Sequence, residues 1–247
     1  MIDPIAFRIG SLEIRWYGII FALAFFVGIL MATRLARKRN ISKDIIYDFA
    51  IWLIPSAVIG ARIGHVLGNF NYYIKSPGEI IAIWHGGVAL YGGILGAVIA
   101  AIIFCKKKNI DFYDLGDIFV VPLAFGTTFG RIGNFINQEL YGKLTSLPWG
   151  VYFDGVTGKR HPTQIYEAIG NLAVFLILIF LWKKNYKPGT IFWSYLVIYS
   201  FIRFFAEFLR EGKIVFLGLT TMQLLTIPLF ILSIYFIYSL NKLKTVS

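Results

Sequence analysis

Charge is scarce in this chain, and acidic charge most of all. Thirteen Asp and Glu stand against 24 Lys and Arg, and only 15% of the 247 residues are charged, where a soluble domain carries about 25%. Together with 57% hydrophobic residues and a mean hydropathy of +0.70, this excludes an ordinary soluble domain and points to an integral membrane protein. Cysteine is nearly absent. The single Cys105 excludes an internal disulfide and a CxxC metal site; beside Lys106, Lys107 and Lys108 it is read as a packing residue, with palmitoylation as the alternative. No repeat of about 20–50 residues is present and no low-complexity stretch, so one membrane domain over 1–247 is expected. The first apolar run has no basic stretch before it and continues for about a full span, so it is expected to be a retained helix and not a cleaved signal. A net charge of +11 would suggest nucleic acid for a soluble protein. Here the basic residues sit at the ends of apolar segments, where they report topology, and no nucleic acid is expected.

The apolar segments predict an all-α protein with seven transmembrane helices, over residues 16–33, 45–67, 85–105, 112–133, 163–182, 189–209 and 219–240. Residues 1–15 suit an interfacial strand or helix, and 68–84 a polar, aromatic connection turning at Pro77-Gly78. The longest connection is 134–162, rich in Gly, Tyr and charge. The segments after spans one, three, five and seven hold thirteen of the 24 Lys and Arg residues. Compact basic clusters favour the cytoplasm. The N-terminus and the 134–162 loop-rich head are therefore expected outside, and the C-terminus in the cytoplasm.

One stretch breaks the apolar pattern most sharply. Residues 130–143 read Gly-Arg-Ile-Gly-Asn-Phe-Ile-Asn-Gln-Glu-Leu-Tyr-Gly-Lys. On a helix Arg131 and Asn134 share a face, and Gly130 and Gly133 let a backbone or headgroup come close. Taken singly, Asn134, Asn137 and Gln138 read as caps of a helix end; Arg131 and Glu139 together read as a site, because charge at the mouth of an apolar segment is costly unless something polar is bound. Arg62, Arg203 and Glu207 also lie inside apolar segments, and Arg210 continues the Arg203–Glu207 face. An Arg–Glu pair can be a self-neutralising packing device. Three arginines on separate spans, Arg62, Arg131 and Arg203, suggest instead a phospholipid headgroup site, because the guanidinium fork binds phosphate at two points.

Two further motifs stand out. Residues 85–93 read His-Gly-Gly-Val-Ala-Leu-Tyr-Gly-Gly. The paired glycines permit close helix packing or a broken helix, His85 is expected at the interface, and Tyr91 is expected deeper in the span. Residues 160–167 read Arg-His-Pro-Thr-Gln-Ile-Tyr-Glu, where Pro162 suits a first helical turn and Glu167 benefits from the helix N-terminus. A helix start does not by itself explain His161 beside Arg160, or Glu167 a turn inside the apolar segment.

These motifs, with Arg-Trp-Tyr-Gly at 15–18 and Arg-Phe-Phe-Ala-Glu-Phe-Leu-Arg at 203–210, resemble in order those of the prolipoprotein diacylglyceryl transferase family across essentially the whole chain. The resemblance implies a multi-pass protein of the bacterial cytoplasmic (inner) membrane with seven spans, the N-terminus outside and the active site toward the outer leaflet. It implies transfer of diacylglyceryl from phosphatidylglycerol to the lipobox cysteine thiol of a preprolipoprotein signal peptide, forming a thioether and releasing glycerol phosphate, with no metal or organic cofactor. By motif matching, Arg131 and Arg203 hold the phosphate and stabilise its charge as the C–O bond breaks. Asn134, Glu139, Glu207 and Tyr17 match other positions tied to activity, and His161, Gln164 and Glu167 match the substrate-binding stretch. One departure concerns the base. Some relatives carry a histidine just before the second Gly-Gly pair, where this chain has Tyr91. His85, six residues earlier, does not share its helical face. A thiol of pKa about 8.5 needs only a modest shift to react, whereas tyrosine, with pKa about 10, is a poor base at neutral pH. Tyr91 is left a hydrogen bond to lipid or peptide.

Two other classes compete. A transporter for an anionic solute would use the glycine-rich third span and the intramembrane arginines; it predicts a path reaching both surfaces, and no inverted repeat supports it. A non-catalytic lipid-binding scaffold predicts lipid binding without turnover.

Overall fold

A computed structural model describes residues 2–242. Among them, seven helices are long and apolar enough to cross a membrane. Apolar and charged residues alternate near the start, the period of a strand, and β1 (Ile5–Ile9) pairs antiparallel with β2 (Leu12–Arg15). There follow α1 (Trp16–Ala36), α2 (Lys43–Gly68), the short α3 (Phe70–Lys75), α4 (Leu90–Lys108), α5 (Phe112–Ile136), α6 (Thr163–Lys183), α7 (Thr190–Ala206) and α8 (Thr221–Lys242). A 3₁₀ turn, Glu207–Leu209, and a small hairpin of β3 (Ile214–Phe216) and β4 (Leu219–Thr220) join α7 to α8. The chain falls into two compact units, one of Met1–Ala32 with Gly116–Ser247 and one of Thr33–Leu115.

Within the Thr33–Leu115 unit, Ser42 starts α2 by accepting the Ile45 N–H at 3.4 Å, and Asp44 lies in the first turn, where the helix dipole favours an acid. The unit is held by glycines. Gly60 and Gly64 on α2 face Gly92 and Gly96 on α4: a Cβ on Gly64 would lie 2.9 Å from Gly92 Cα, and one on Gly96 only 2.5 Å from the Ser56 carbonyl oxygen. Small residues one turn apart on both helices let the backbones touch, which substitutes for the hydrophobic driving force that lipid abolishes.

The third span starts later than its composition suggests. Gly86 and Gly87 take φ of 84° and 79°, a left-handed backbone that no helix continues. Residues 83–85 form a 3₁₀ turn, and α4 begins only at Leu90. Tyr91 therefore sits in the first turn of α4, half exposed, and not deep in a span. His85 is exposed and pairs with Glu79 at 2.8 Å.

Arg62 organises this non-helical connection. It is buried, and its five N–H donors reach five carbonyl oxygens: Nε donates to Ile80 at 2.9 Å, Nη1 to Gly86 at 2.5 Å and Gly87 at 2.8 Å, and Nη2 to Ala82 at 3.2 Å and to Glu79. Its guanidinium also lies 5.3 Å from the centre of the Tyr73 ring. An intramembrane arginine so satisfied has no donor left for an external anion.

In the other unit, α7 packs against α6 and α8. Gly170 brings α6 against Ile202 of α7, Trp193 stacks on Phe236 of α8 with centroids 4.4 Å apart, and Phe125 of α5 meets Phe175 of α6 at 5.5 Å. The outer surfaces of these spans stay apolar: Leu176, Phe180, Phe201 and Ile231 are all exposed, as lipid-facing residues must be. Asp117 on α5 is fully buried. Its carboxylate accepts the N–H groups of Gly189 at 2.9 Å and Phe192 at 2.7 Å, two of the orphan donors at the start of α7, with the helix dipole adding to the attraction.

Asp117→Ala exposes those two donors to an apolar interior, at a cost of about 1–3 kcal/mol. Deuterium uptake by a peptide covering 186–195 should rise in the variant while peptides from α2 and α4 exchange unchanged. Unaltered uptake at 186–195 would show that the start of α7 does not depend on this cap.

Candidate functional site

The polar residues of the Met1–Ala32 and Gly116–Ser247 unit gather at one end of α5, α6 and α7. Arg131 lies near the C-terminal end of α5, Glu167 in the second turn of α6, and Arg203 in the last turn of α7. Their charges suit the helix poles: positive near C-terminal ends and negative near an N-terminal one. The three side chains meet. Glu167 Oε2 lies 2.8 Å from Arg131 Nη2, and its Oε1 lies 3.3 Å from Arg203 Nη1 and 2.6 Å from Arg210 Nη1. Arg203 Nη2 reaches Glu207 Oε2 at 2.7 Å, and Glu207 Oε1 accepts the Thr220 hydroxyl at 3.1 Å. The Glu167, Arg203 and Glu207 side chains are at most 8% exposed, and Arg131 and Arg210 only 23% and 14%.

Three guanidinium groups thus pair directly with two carboxylates in a largely enclosed cluster, an excess of one positive charge among the enclosed groups; the third acid of the network, Glu139, is exposed and reaches Arg131 only through Asn134. Burial of an unbalanced charge is costly, so the arrangement suits an anionic ligand. In these contacts each arginine directs only one or two of its five N–H donors at its neighbours, leaving others for a bidentate ligand.

The 130–143 stretch builds the adjoining wall. Arg131 Nη1 donates to Asn134 Oδ1 at 3.4 Å, a long bond, and Asn134 Nδ2 donates to Glu139 Oε1 at 2.7 Å. Glu139 thereby orients Arg131 through Asn134. The chain turns sharply to allow this: Gln138 and Leu140 take φ of 59° and 61°, a region that a bulky residue such as leucine rarely adopts and that clusters at functional sites. Gln138 is pinned by Asp154, with its Nε2 2.7 Å from the carboxylate and its Oε1 2.7 Å from the Asp154 amide nitrogen. Gln164, fully buried, donates to the Glu139 carbonyl at 2.7 Å, while its Oε1 has no hydrogen-bond partner among the described residues. Thr163 donates to the Leu140 carbonyl at 2.9 Å. Tyr17 of α1 lies over Gly133: a Cβ there would come within 2.8 Å of the ring, so the glycine makes room for the tyrosine. His161 Nδ1 is 3.4 Å from the Tyr166 hydroxyl, which also accepts the Trp149 indole N–H at 2.8 Å. A cleft of about 470 Å³ opens beside these groups, lined by Gln138 to Tyr141, Arg210 and Glu211.

Arg131, Asn134, Glu139, Gln164, Glu167, Arg203 and Glu207 are linked by direct contacts, and Tyr17 and His161 adjoin the same elements. Tyr91 belongs to the Thr33–Leu115 unit. Arg62 belongs there too. Its donors are taken by backbone carbonyls, which removes it from the expected set of three headgroup arginines. Arg210 was not among the expected site residues, yet it makes the shortest contact to Glu167. Its position seven residues after Arg203 was the available signal, weakened because α7 ends at Ala206 and the intervening turn is 3₁₀. Thr220 gave no signal, since nothing in the sequence ties it to Glu207.

Removing Glu167 leaves three guanidinium groups without their common partner. Glu167→Ala is expected to destabilise the protein by about 3–5 kcal/mol, the cost of stranding buried charge; Glu207→Ala, which strands one guanidinium, should cost less. Thermal unfolding in detergent checks the order. A Glu167→Ala variant as stable as the parent would mean that the cluster contributes nothing to the fold.

The geometry can be set beside known proteins. The profile of the family described as prolipoprotein diacylglyceryl transferase matches residues 4–239. A phosphatidylglycerol–prolipoprotein diacylglyceryl transferase of Finegoldia magna is 43% identical over 230 residues, covering 93% of this chain and 92% of its own length. Proteins of the same name from Listeria welshimeri and Geobacter sulfurreducens are 39% and 38% identical over 245 and 243 residues; each alignment covers 94% of this chain, and 88% and 93% of theirs. A match of this extent, running through every element of the arginine cluster, means that the chain belongs to the prolipoprotein diacylglyceryl transferase family.

Proposed function

We propose that this protein transfers the diacylglyceryl group of phosphatidylglycerol to the thiol of the lipobox cysteine in a preprolipoprotein signal peptide. The observation that carries the reading is the enclosed cluster in which three arginines share two directly paired carboxylates and direct only part of their donors at them. The sulfur attacks the diacylglycerol carbon that bears the phosphate, a C–S bond forms, and the C–O bond breaks with its electron pair passing to the phosphate. Glycerol phosphate leaves, and the thiol proton balances the added charge on the products.

Arg131 and Arg203 hold the phosphate and stabilise the charge that grows on its bridging oxygen. They act as preorganised donors, already fixed by Glu167 and Glu207, so no reorganisation is needed as the bond breaks. Asn134 and Glu139 set the Arg131 fork. The Gln164 acceptor and the Glu139 carboxylate suit the glycerol hydroxyls, which are donors. Tyr17 and His161 border the lipid, and Tyr91 donates a hydrogen bond to lipid or peptide. Glycines at the entry to α4 and the exposed apolar flanks of the spans suit substrates that arrive from within the bilayer. The basic segments at 34–43, 106–108 and 183–187 support a cytoplasmic location for these ends by the positive-inside tendency. The N-terminus and the 134–162 head then lie outside, and the site is toward the outer leaflet of the cytoplasmic (inner) membrane.

Purified protein in detergent, given phosphatidylglycerol and a lipobox peptide with one cysteine, should yield a peptide heavier by one diacylglyceryl group in mass spectrometry. Arg131→Ala should slow the reaction by about 10²–10³-fold, and a peptide with serine in place of cysteine should gain no mass. No adduct from folded parent protein would overturn the reading.

A further inference from the structure

The Thr33–Leu115 unit carries a cavity of its own, mostly apolar and built only from α2 and α4. It has a volume of about 290 Å³ and is lined by Asp48, Ile51, Trp52, Phe104, Lys107 and Lys108. It lies near the start of α2, which opens Lys43-Asp44, and at the last turn of α4, which carries Lys106, Lys107 and Lys108. Headgroups meet a spanning helix at this level.

The two lysines are held in place. Lys107 Nζ lies 5.2 Å from the centre of the Trp52 ring, and Lys108 Nζ lies 5.9 Å from that of Phe104 and 2.7 Å from Asp48 Oδ2. Trp52 is fixed in turn by its indole N–H, which donates to the Ala100 carbonyl at 3.2 Å, and Phe104 is buried against Phe49 with centroids 5.1 Å apart. Aromatic faces thus restrain two ammonium groups, Lys108 while still 44% exposed, so less entropy is lost when they bind a ligand.

Two lysines against one aspartate leave one positive charge, the complement of a single phosphodiester. Asp48 takes one of the three donors of Lys108, and Lys107 meets no carboxylate among the described residues. The remaining lining is apolar, and Ile51 is 72% exposed on the flank of a span, where acyl chains run. A soluble anion would use the lysines and leave this wall unfilled.

We propose that this cavity binds an anionic glycerophospholipid, with its phosphodiester between Lys107 and Lys108 and its acyl chains along Ile51, Trp52 and Phe104. The site shares no residue with the arginine cluster and does not depend on the proposed transfer reaction. Its ligand is a bound membrane lipid, not a substrate.

Trp52 reports directly on occupancy. In phosphatidylcholine nanodiscs, the quenching lost on Trp52→Phe isolates its signal from the other tryptophans. Brominated phosphatidylglycerol should quench that signal at about a fivefold lower mole fraction than brominated phosphatidylcholine, the enrichment expected for one effective lysine. Lys107→Gln with Lys108→Gln should bring the two lipids together. Asp48→Asn, which frees Lys108, should widen the gap. Equal quenching by both lipids in the parent, a preference that survives loss of both lysines, or no gain with Asp48→Asn would each overturn the proposal. So would recovery of fluorescence on adding millimolar inorganic phosphate, since that result would make the cavity a small-anion site.

Discussion

Three guanidinium groups from separate parts of the chain converge on the carboxylate of Glu167. Arg131 approaches at 2.8 Å, Arg203 at 3.3 Å and Arg210 at 2.6 Å. Inside an apolar bundle none of these charges is tolerable alone. Their mutual satisfaction ties the end of α5, the start of α6 and the end of α7 into one arrangement. It also fixes the loops on either side. The turn at 138–140 points Glu139 back at Asn134, and the backbone pairing of Gly142 with Arg210 draws the segment after α5 to the one after α7. One carboxylate that serves three arginines cannot neutralise them, and Glu207 pairs directly with Arg203 alone, so the cluster suits an anionic ligand. Structure and binding capacity therefore come from the same contact.

The other unit meets the same difficulty by different means. Arg62 is buried with no carboxylate partner among the described residues and is paid for by backbone carbonyls that the 79–87 connection turns toward it, with the Tyr73 ring beside it. Those carbonyls are available because Gly86 and Gly87 leave the helical conformation. An arginine in an apolar span is thus no sure mark of an anion site. What distinguishes Arg131 and Arg203 from Arg62 is whether donors remain after the protein has satisfied its own acceptors.

Hydropathy made the seven spans legible to within a few residues at most ends, because lipid imposes one period and one length on every crossing segment. The start of α4 was missed by five residues, from 85 to Leu90, since a run of apolar residues and glycine has the composition of a span whether or not its backbone is helical. The Arg203–Glu207 pair was legible as an i, i+4 spacing. The motif at 130–142 drew Arg131, Asn134 and Glu139 together because they are neighbours in sequence. Glu167 as the hub was not legible: its partners lie 36 and 43 residues away, and only the fold brings them within reach. Asp117 was invisible for the same reason, its two partners lying 72 and 75 residues along.

The most direct test is the affinity of the cluster for the leaving group itself. Glycerol phosphate titrated calorimetrically into the detergent-solubilised protein should bind. Arg131→Lys and Arg203→Lys keep the charge and lose the planar fork, and each should weaken binding about tenfold or more, the worth of one charge-assisted hydrogen bond. Unchanged affinity in the double lysine variant would contradict a phosphate site built on the guanidinium groups around Glu167.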